Sequence, residues 1–160
     1  MKAITIWQPW ASLIACGAKK FETRSWKTDY RGPIAIHAAA RYPFKATKDI
    51  PGYVVAEMRQ ALKSFGILTN WTDFRNLPLG KIIATADLVD CHEIMLYGGR
   101  GISAYPGRLE MEDGIYYPDE QELLFGDWTP GRYAWELANV KMLPEPISCK
   151  GKQRLWEVEI

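Results

Sequence analysis

The sequence predicts an α+β fold in which about six strands are connected by short helices and turns. Three observations support this prediction. The chain has 160 residues, enough for one hydrophobic core and therefore for a single domain over residues 1–160. Runs of β-branched and apolar residues recur between turn residues, and other stretches have the spacing of helices. The predicted strands cover residues 3–7, 21–26, 33–38, 81–89, 133–140 and 154–160.

The helices are predicted from their boundaries and from the spacing of their apolar residues. Pro9 suits the first position of a short helix that runs to Cys16, and Gly17 suits the left-handed position after its end. Residues 52–66 place apolar side chains on one face of a longer helix. Residues 71–77 predict a further short helix before the Pro-Leu-Gly sequence that would end it.

Residues 93–128 are the least patterned part of the chain. Glycine and proline recur over residues 98–107, and residues 109–127 hold seven acidic residues and no Lys or Arg. This pattern predicts an insertion-like loop, and a connection of this length in a compact domain is often functional.

Charge is distributed unevenly along the chain. The formal net charge is only +1, which disfavours a broad nucleic-acid-binding surface. Residues 1–50, however, hold nine Lys or Arg against three Asp or Glu, a local balance of +6. A cationic cleft for a phosphate-bearing ligand in this third of the chain is one interpretation, and solvated faces of opposite sign are the other.

Several classes of protein are disfavoured by the composition. No segment approaches the ~18 apolar residues of a membrane span, and the chain begins directly with a strand-like run, so we expect a cytoplasmic protein without membrane association. Three cysteines far apart argue against a disulfide framework. His37 and His92 lack metal-ligand spacing, and no phosphate-loop or dinucleotide glycine pattern occurs. We therefore expect neither a metal nor an organic cofactor.

The octapeptide from Gly17 to Arg24 carries the most specific pattern. It reads Gly-x-Lys-x-x-Glu-x-Arg, and places Lys19, Glu22 and Arg24 within six residues of one another. On a strand, Glu22, Arg24 and Trp26 share one face, whereas Lys19 lies in the preceding turn.

This spacing resembles the signature of the ASCH domain family, a branch of the PUA-like superfamily, and in particular its bacterial and phage members. Further similarity lies in blocks at residues 4–10, 31–39, 80–86 and 130–137, in family order and over roughly half the chain. The resemblance implies a single small PUA-like β-barrel of about six strands. It also implies an RNA- or modified-nucleotide-binding domain with a cleft built around the octapeptide.

The same resemblance implies two enzymatic alternatives. Some small members hydrolyse N4-acetylcytidine with a lysine, a threonine and a glutamate, and Lys19 matches that lysine. Glu22 stands where those enzymes have threonine, and Thr23 would face away from it in a regular strand. Lys19 and Glu22 would then form an acid/base pair. Other members are ribonucleases, for which no residue here is diagnostic.

The candidate ligand-binding residues each have a structural alternative. Lys19 and Arg24 suit a phosphate, and Glu22 suits an exocyclic amine or holds the two cations in place. Trp7 and Trp26 suit base stacking, although most tryptophans lie in cores. Gln8 suits either the reading of a base edge or the capping of the following helix.

Overall fold

A computed structural model gives the structure of the protein and describes residues 1–69, 74–95, 108–112 and 114–160. Four helices, eight strands and one 3-10 turn follow one another along these residues. In chain order they are β1 (Lys2–Ile6), α1 (Trp10–Ala15), β2 (Phe21–Arg24), β3 (Gly32–Ala38), α2 (Pro43–Ala46), α3 (Gly52–Ser64), the 3-10 turn (Phe74–Asn76), β4 (Lys81–Met95), β5 (Arg108–Met111), β6 (Gly114–Tyr116), α4 (Glu120–Phe125), β7 (Tyr133–Ser148) and β8 (Leu155–Glu157).

The chain forms two compact units. The first unit comprises Met1–Lys19, Pro33–Asp87 and Asn139–Ile160, and the second comprises Lys20–Gly32 and Leu88–Ala138. The single-domain organisation over residues 1–160 remains a prediction.

The first unit is organised around β1. This strand pairs in parallel with β3, with Ile4 opposite Ile36 and Ile6 opposite Ala38, and antiparallel with β8. A parallel pair requires a long crossover connection, and the residues between β1 and β3 supply it. Apolar side chains from four strands then form one buried cluster: Ala3, Ala35, Ile82 and Trp156.

The C-terminal segment of the first unit passes very close to β3. His37 is buried, and its Nε2 lies 3.1 Å from the carbonyl oxygen of Cys149. Burial lowers the pKa of His37, although the Cys149 carbonyl acts in the opposite direction. A Cβ atom on Gly151 would lie 2.4 Å from Cε1 of His37 and 2.8 Å from Oγ1 of Thr5. Only glycine therefore fits at position 151 without displacing its neighbours.

The second unit has its own apolar core, with Phe21 at its centre. Phe21 contacts the rings of Tyr116 and Trp128 at centroid distances of 5.3 and 5.7 Å. β2 pairs antiparallel with β7, and β5 pairs with both β4 and β6. Ile94, Leu109 and Ala134 complete the buried cluster.

The strand order corrects one expectation about the sheet. The order is β2-β7-β4-β3-β1-β8, with β5 paired to β4 and β6 to β5, so the sheet has eight strands instead of about six. Within the described ranges no ladder joins β8 to β2. The α+β class is confirmed, whereas the closed barrel is not.

Most of the predicted elements are present, with boundaries that differ by a few residues. The helix expected over residues 52–66 spans Gly52–Ser64, and Gly66 follows it with φ +71°. The strand expected to end at residue 89 continues to Met95, and the one expected to end at residue 140 continues to Ser148.

The other differences are short elements. α2 was not predicted, because four residues offer no periodicity. The described part of residues 93–128 contains β5, β6 and α4, whereas the glycine-rich residues 98–107 lie outside the described ranges. The helix predicted over residues 71–77 also lies partly outside them, and residues 74–76 form the 3-10 turn.

The close approach at Gly151 predicts a steric effect on stability. Gly151→Ala should lower the free energy of unfolding by about 1–3 kcal/mol, because the added Cβ would overlap the buried His37 ring. Urea titration measures this change. Gly52→Ala is the matched control, since no atom lies within 4 Å of its added Cβ. An unfolding free energy for Gly151→Ala equal to that of the wild type would contradict this packing.

Candidate functional site

The residues of the octapeptide divide between the two units. Gly17 and Lys19 belong to the first unit, whereas Glu22 and Arg24 belong to the second. The convergence of Lys19, Glu22 and Arg24 on one cleft remains a prediction.

Helix α1 and the turn after it fix the position of Lys19. Gly17 has φ +83°, as expected for a left-handed cap, and its N–H donates to the Ile14 carbonyl at 2.9 Å. The chain then reverses, so that the N–H of Lys19 donates to the Leu13 carbonyl at 3.1 Å. The residue is only 1% exposed. Lysine is rarely buried to this extent, so the Lys19 side chain is held in place by its surroundings and is not a mobile surface group.

Gln8 lies immediately before α1 and is completely buried. Its Oε1 accepts the N–H of Ser12 at 3.0 Å, and its Nε2 donates to the Pro78 carbonyl at 3.0 Å. The first bond satisfies one of the open backbone donors of the helix, so the side chain caps α1. The reading of a base edge by Gln8 remains a prediction.

Trp7 has a very different environment from Gln8. It is 45% exposed, and the guanidinium carbon of Arg41 lies 4.0 Å from the centroid of its ring. This is a cation–π arrangement on the surface of the first unit.

In the second unit, Glu22 and Arg24 form an ion pair on one face of β2. Nε of Arg24 lies 3.0 Å from Oε1 of Glu22, and Glu22 is buried. Thr23 has different partners, since its Oγ1 accepts the N–H of Asp127 at 3.1 Å and its carbonyl accepts from Arg132. The hydroxyl of Thr23 therefore already has a partner within the second unit.

Trp26 packs edge-to-face against Trp135, with ring centroids 4.6 Å apart. Its carbonyl also accepts the indole N–H of Trp135 at 3.3 Å. Trp26 therefore already has an aromatic partner in the protein, and its stacking on a ligand remains a prediction.

Sequence reasoning missed a polar cluster around His92 in the second unit. Nε2 of His92 lies 2.8 Å from Oε2 of Glu136, and Nδ1 lies 3.7 Å from Oδ2 of Asp90. Burial raises the pKa of Asp90, but the N–H of Cys91, the guanidinium of Arg31 and His92 outweigh it and hold that pKa below its usual value. The spacing of Asp90 and His92 on one strand face was visible in the sequence, whereas the approach of Glu136 depends on the fold.

The acidic residues 109–127 include side chains with structural roles. Asp119 caps α4 by accepting the N–H of Glu122 at 2.8 Å. Glu122 is buried, and its carboxylate accepts the N–H of Lys20. Within the described ranges, no group of three or more His, Cys, Asp or Glu residues has the arrangement of a metal site.

The comparison with known proteins confirms the family resemblance inferred from the octapeptide. The ASCH domain family model matches residues 4–147. The chain belongs to the ASCH domain family. The human protein Activating signal cointegrator 1 is 32% identical over 90 residues, and its mouse counterpart is 31% identical over 90 residues.

These matches have a limited extent. Each covers 55% of this chain but only 14% of the relative, so the chain corresponds to a small part of those longer proteins. The bacterial or phage origin suggested by the sequence remains a prediction.

The two units of this ASCH protein differ in charge. The first unit holds 13 Lys and Arg against seven Asp and Glu, a net charge of +6, and the second holds seven against 12, a net charge of −5. The buried Lys19 and the exposed Trp7 both belong to the basic unit. In the part of the chain that the structure describes, no helix is both long and apolar enough to cross a membrane.

Proposed function

We propose that this ASCH protein binds RNA, or a single modified nucleotide, through its basic first unit, and that Lys19 is the central cation. The observation that carries this proposal is the division of charge, because a net +6 on the unit that contains Lys19 attracts a polyanion to that unit. The association of the ASCH family with RNA supports it.

The proposed mode of binding uses few phosphate contacts. The overall charge of +1 does not provide an extended basic surface, so base recognition has to supply part of the affinity. Unpaired bases offer both a π-face and hydrogen-bonding edges, whereas the edges in an RNA duplex are poorly accessible. We therefore favour single-stranded RNA over duplex RNA as the ligand.

Glu22 and Arg24 belong to the second unit, so their contribution to RNA binding is a separate part of this proposal. Their ion pair holds a carboxylate and a guanidinium in a fixed geometry within the second unit. Glu22→Gln preserves the shape of the side chain and its acceptor oxygen, so it tests whether the negative charge of Glu22 contributes to binding.

Binding to labelled single-stranded RNA, followed by fluorescence anisotropy, tests the proposal. Lys19→Met should weaken binding by about 1–3 kcal/mol, the range for losing a hydrogen bond to a charged group. The affinity of the wild type should fall with salt with a log–log slope of roughly −2 to −3, at about −0.7 per phosphate contact.

Lys141→Met is the matched control, because Lys141 is an exposed lysine of the same unit. Thermal unfolding establishes that each variant is folded. A wild-type protein that binds no single-stranded RNA would refute the function, and equal affinities of Lys19→Met and Lys141→Met would refute the role of Lys19.

A second candidate function is hydrolysis of N4-acylated cytidines. The resemblance of Lys19 to the lysine of the family's N4-acetylcytidine hydrolases favours it, and the burial of Lys19 would hold such a base or nucleophile in a fixed position. In this case Lys19→Met should reduce turnover of N4-acetylcytidine by ~10²-fold or more, measured by chromatography of the product. Absence of turnover by the wild type, together with intact RNA binding, would exclude this candidate.

A further inference from the structure

An exposed aromatic surface lies on the first unit, outside the octapeptide. It consists of Trp7, Arg41, Tyr42 and Phe44, and we call it the aromatic surface. Its rings are 45%, 40% and 43% exposed for Trp7, Tyr42 and Phe44, respectively. The exposed rings are grouped, since Tyr42 lies against Phe44 and Arg41, the neighbour of Tyr42, lies over Trp7, and a grouped exposed apolar patch indicates a binding role.

The parallel pairing of β1 and β3 brings these residues together. Ile6, the last residue of β1, lies opposite Ala38, the last residue of β3, and the Ala39 N–H donates to the Ile6 carbonyl at 2.8 Å. The C-terminal ends of β1 and β3 therefore lie side by side, and the segments that follow them leave the sheet at the same place. Trp7 follows β1 directly and Arg41 follows β3, which explains how the guanidinium reaches the indole ring.

Tyr42 and Phe44 extend the aromatic surface along the chain. Tyr42 has an extended conformation immediately before α2, and Phe44 lies in that helix. Their ring centroids are 5.5 Å apart with an interplanar angle of 41°. The two rings support each other but remain open to solvent, as expected for a preformed platform.

The charges of the same segment favour a nucleic acid. Arg41 and Lys45 are exposed, and residues 33–48 contain no acidic residue, whereas Nζ of the exposed Lys48 lies 3.6 Å from Oδ2 of Asp49. Cations next to exposed π-faces match the two repeating features of a single strand, its phosphates and its unstacked bases. An arginine guanidinium also offers a planar face on which a base stacks.

We propose that the aromatic surface is a stacking subsite for unpaired bases of single-stranded RNA. This inference rests on the proposed RNA-binding function and adds a second contact region to it. One base stacks on the indole of Trp7 or the guanidinium of Arg41, and neighbouring bases stack on Tyr42 and Phe44. Lys45 contacts the backbone phosphates between them.

Anisotropy with a labelled oligoadenylate, and with an abasic ribose-phosphate oligomer of equal length, tests this subsite. Trp7→Ala and the double variant Tyr42→Ala/Phe44→Ala should each lose about tenfold or more in affinity for oligoadenylate, because each removes at least one stacked base. Affinity for the abasic oligomer should change by less than about twofold, since stacking needs a base. Trp7→Phe keeps an aromatic face and should retain most of the affinity.

Tyr53→Ala and Phe65→Ala are the matched controls, because both rings belong to the same unit and are 66% and 55% exposed. Losses no larger than those of the controls would overturn the subsite, and so would equal losses for both oligomers. If Lys19→Met weakens binding while the aromatic variants do not, the subsite fails and the proposed function stands. A wild-type protein that binds no single-stranded RNA overturns both.

Discussion

The parallel register between β1 and β3 is the constraint on which the arrangement of the first unit depends. It places the C-terminal ends of β1 and β3 side by side, with Ile6 opposite Ala38. Helix α1 begins only four residues after Ile6, and its glycine cap turns the chain so that Lys19 is buried. The same pairing brings Arg41 onto the ring of Trp7. One strand register therefore determines the positions of both the buried lysine and the exposed aromatic surface.

The division of charge between the units determines which unit attracts an anionic ligand. A phosphate ligand is attracted to the unit with a net charge of +6 and repelled from the one with −5. Several acidic side chains of the second unit already serve the fold, since Asp119 caps α4 and Glu122 accepts the N–H of Lys20. The low overall charge of +1 is thus the sum of two units with opposite net charges.

The parts of the fold that were predictable from the sequence depend on local physics. Gly17 needs a left-handed conformation, and the alternation of β2 places Glu22 and Arg24 on one face, where they form their ion pair. The contact between Trp7 and Arg41 was not predictable, because residues 34 positions apart meet only through the register of a parallel ladder. The approach of Glu136 to His92 was not predictable for a similar reason. For Gln8 the structure shows that the side chain caps α1, and the reading of a base edge by Gln8 stays a prediction.

Ultraviolet cross-linking of the protein to single-stranded RNA, with the sites mapped by mass spectrometry, tests the central claim most directly. The claim is that RNA is bound by the basic first unit. The expected cross-links fall in peptides from Met1–Lys19 and Pro33–Asp87, with Trp7, Tyr42 and Phe44 among the modified residues. Cross-links confined to Leu88–Ala138, in the acidic second unit, would contradict it.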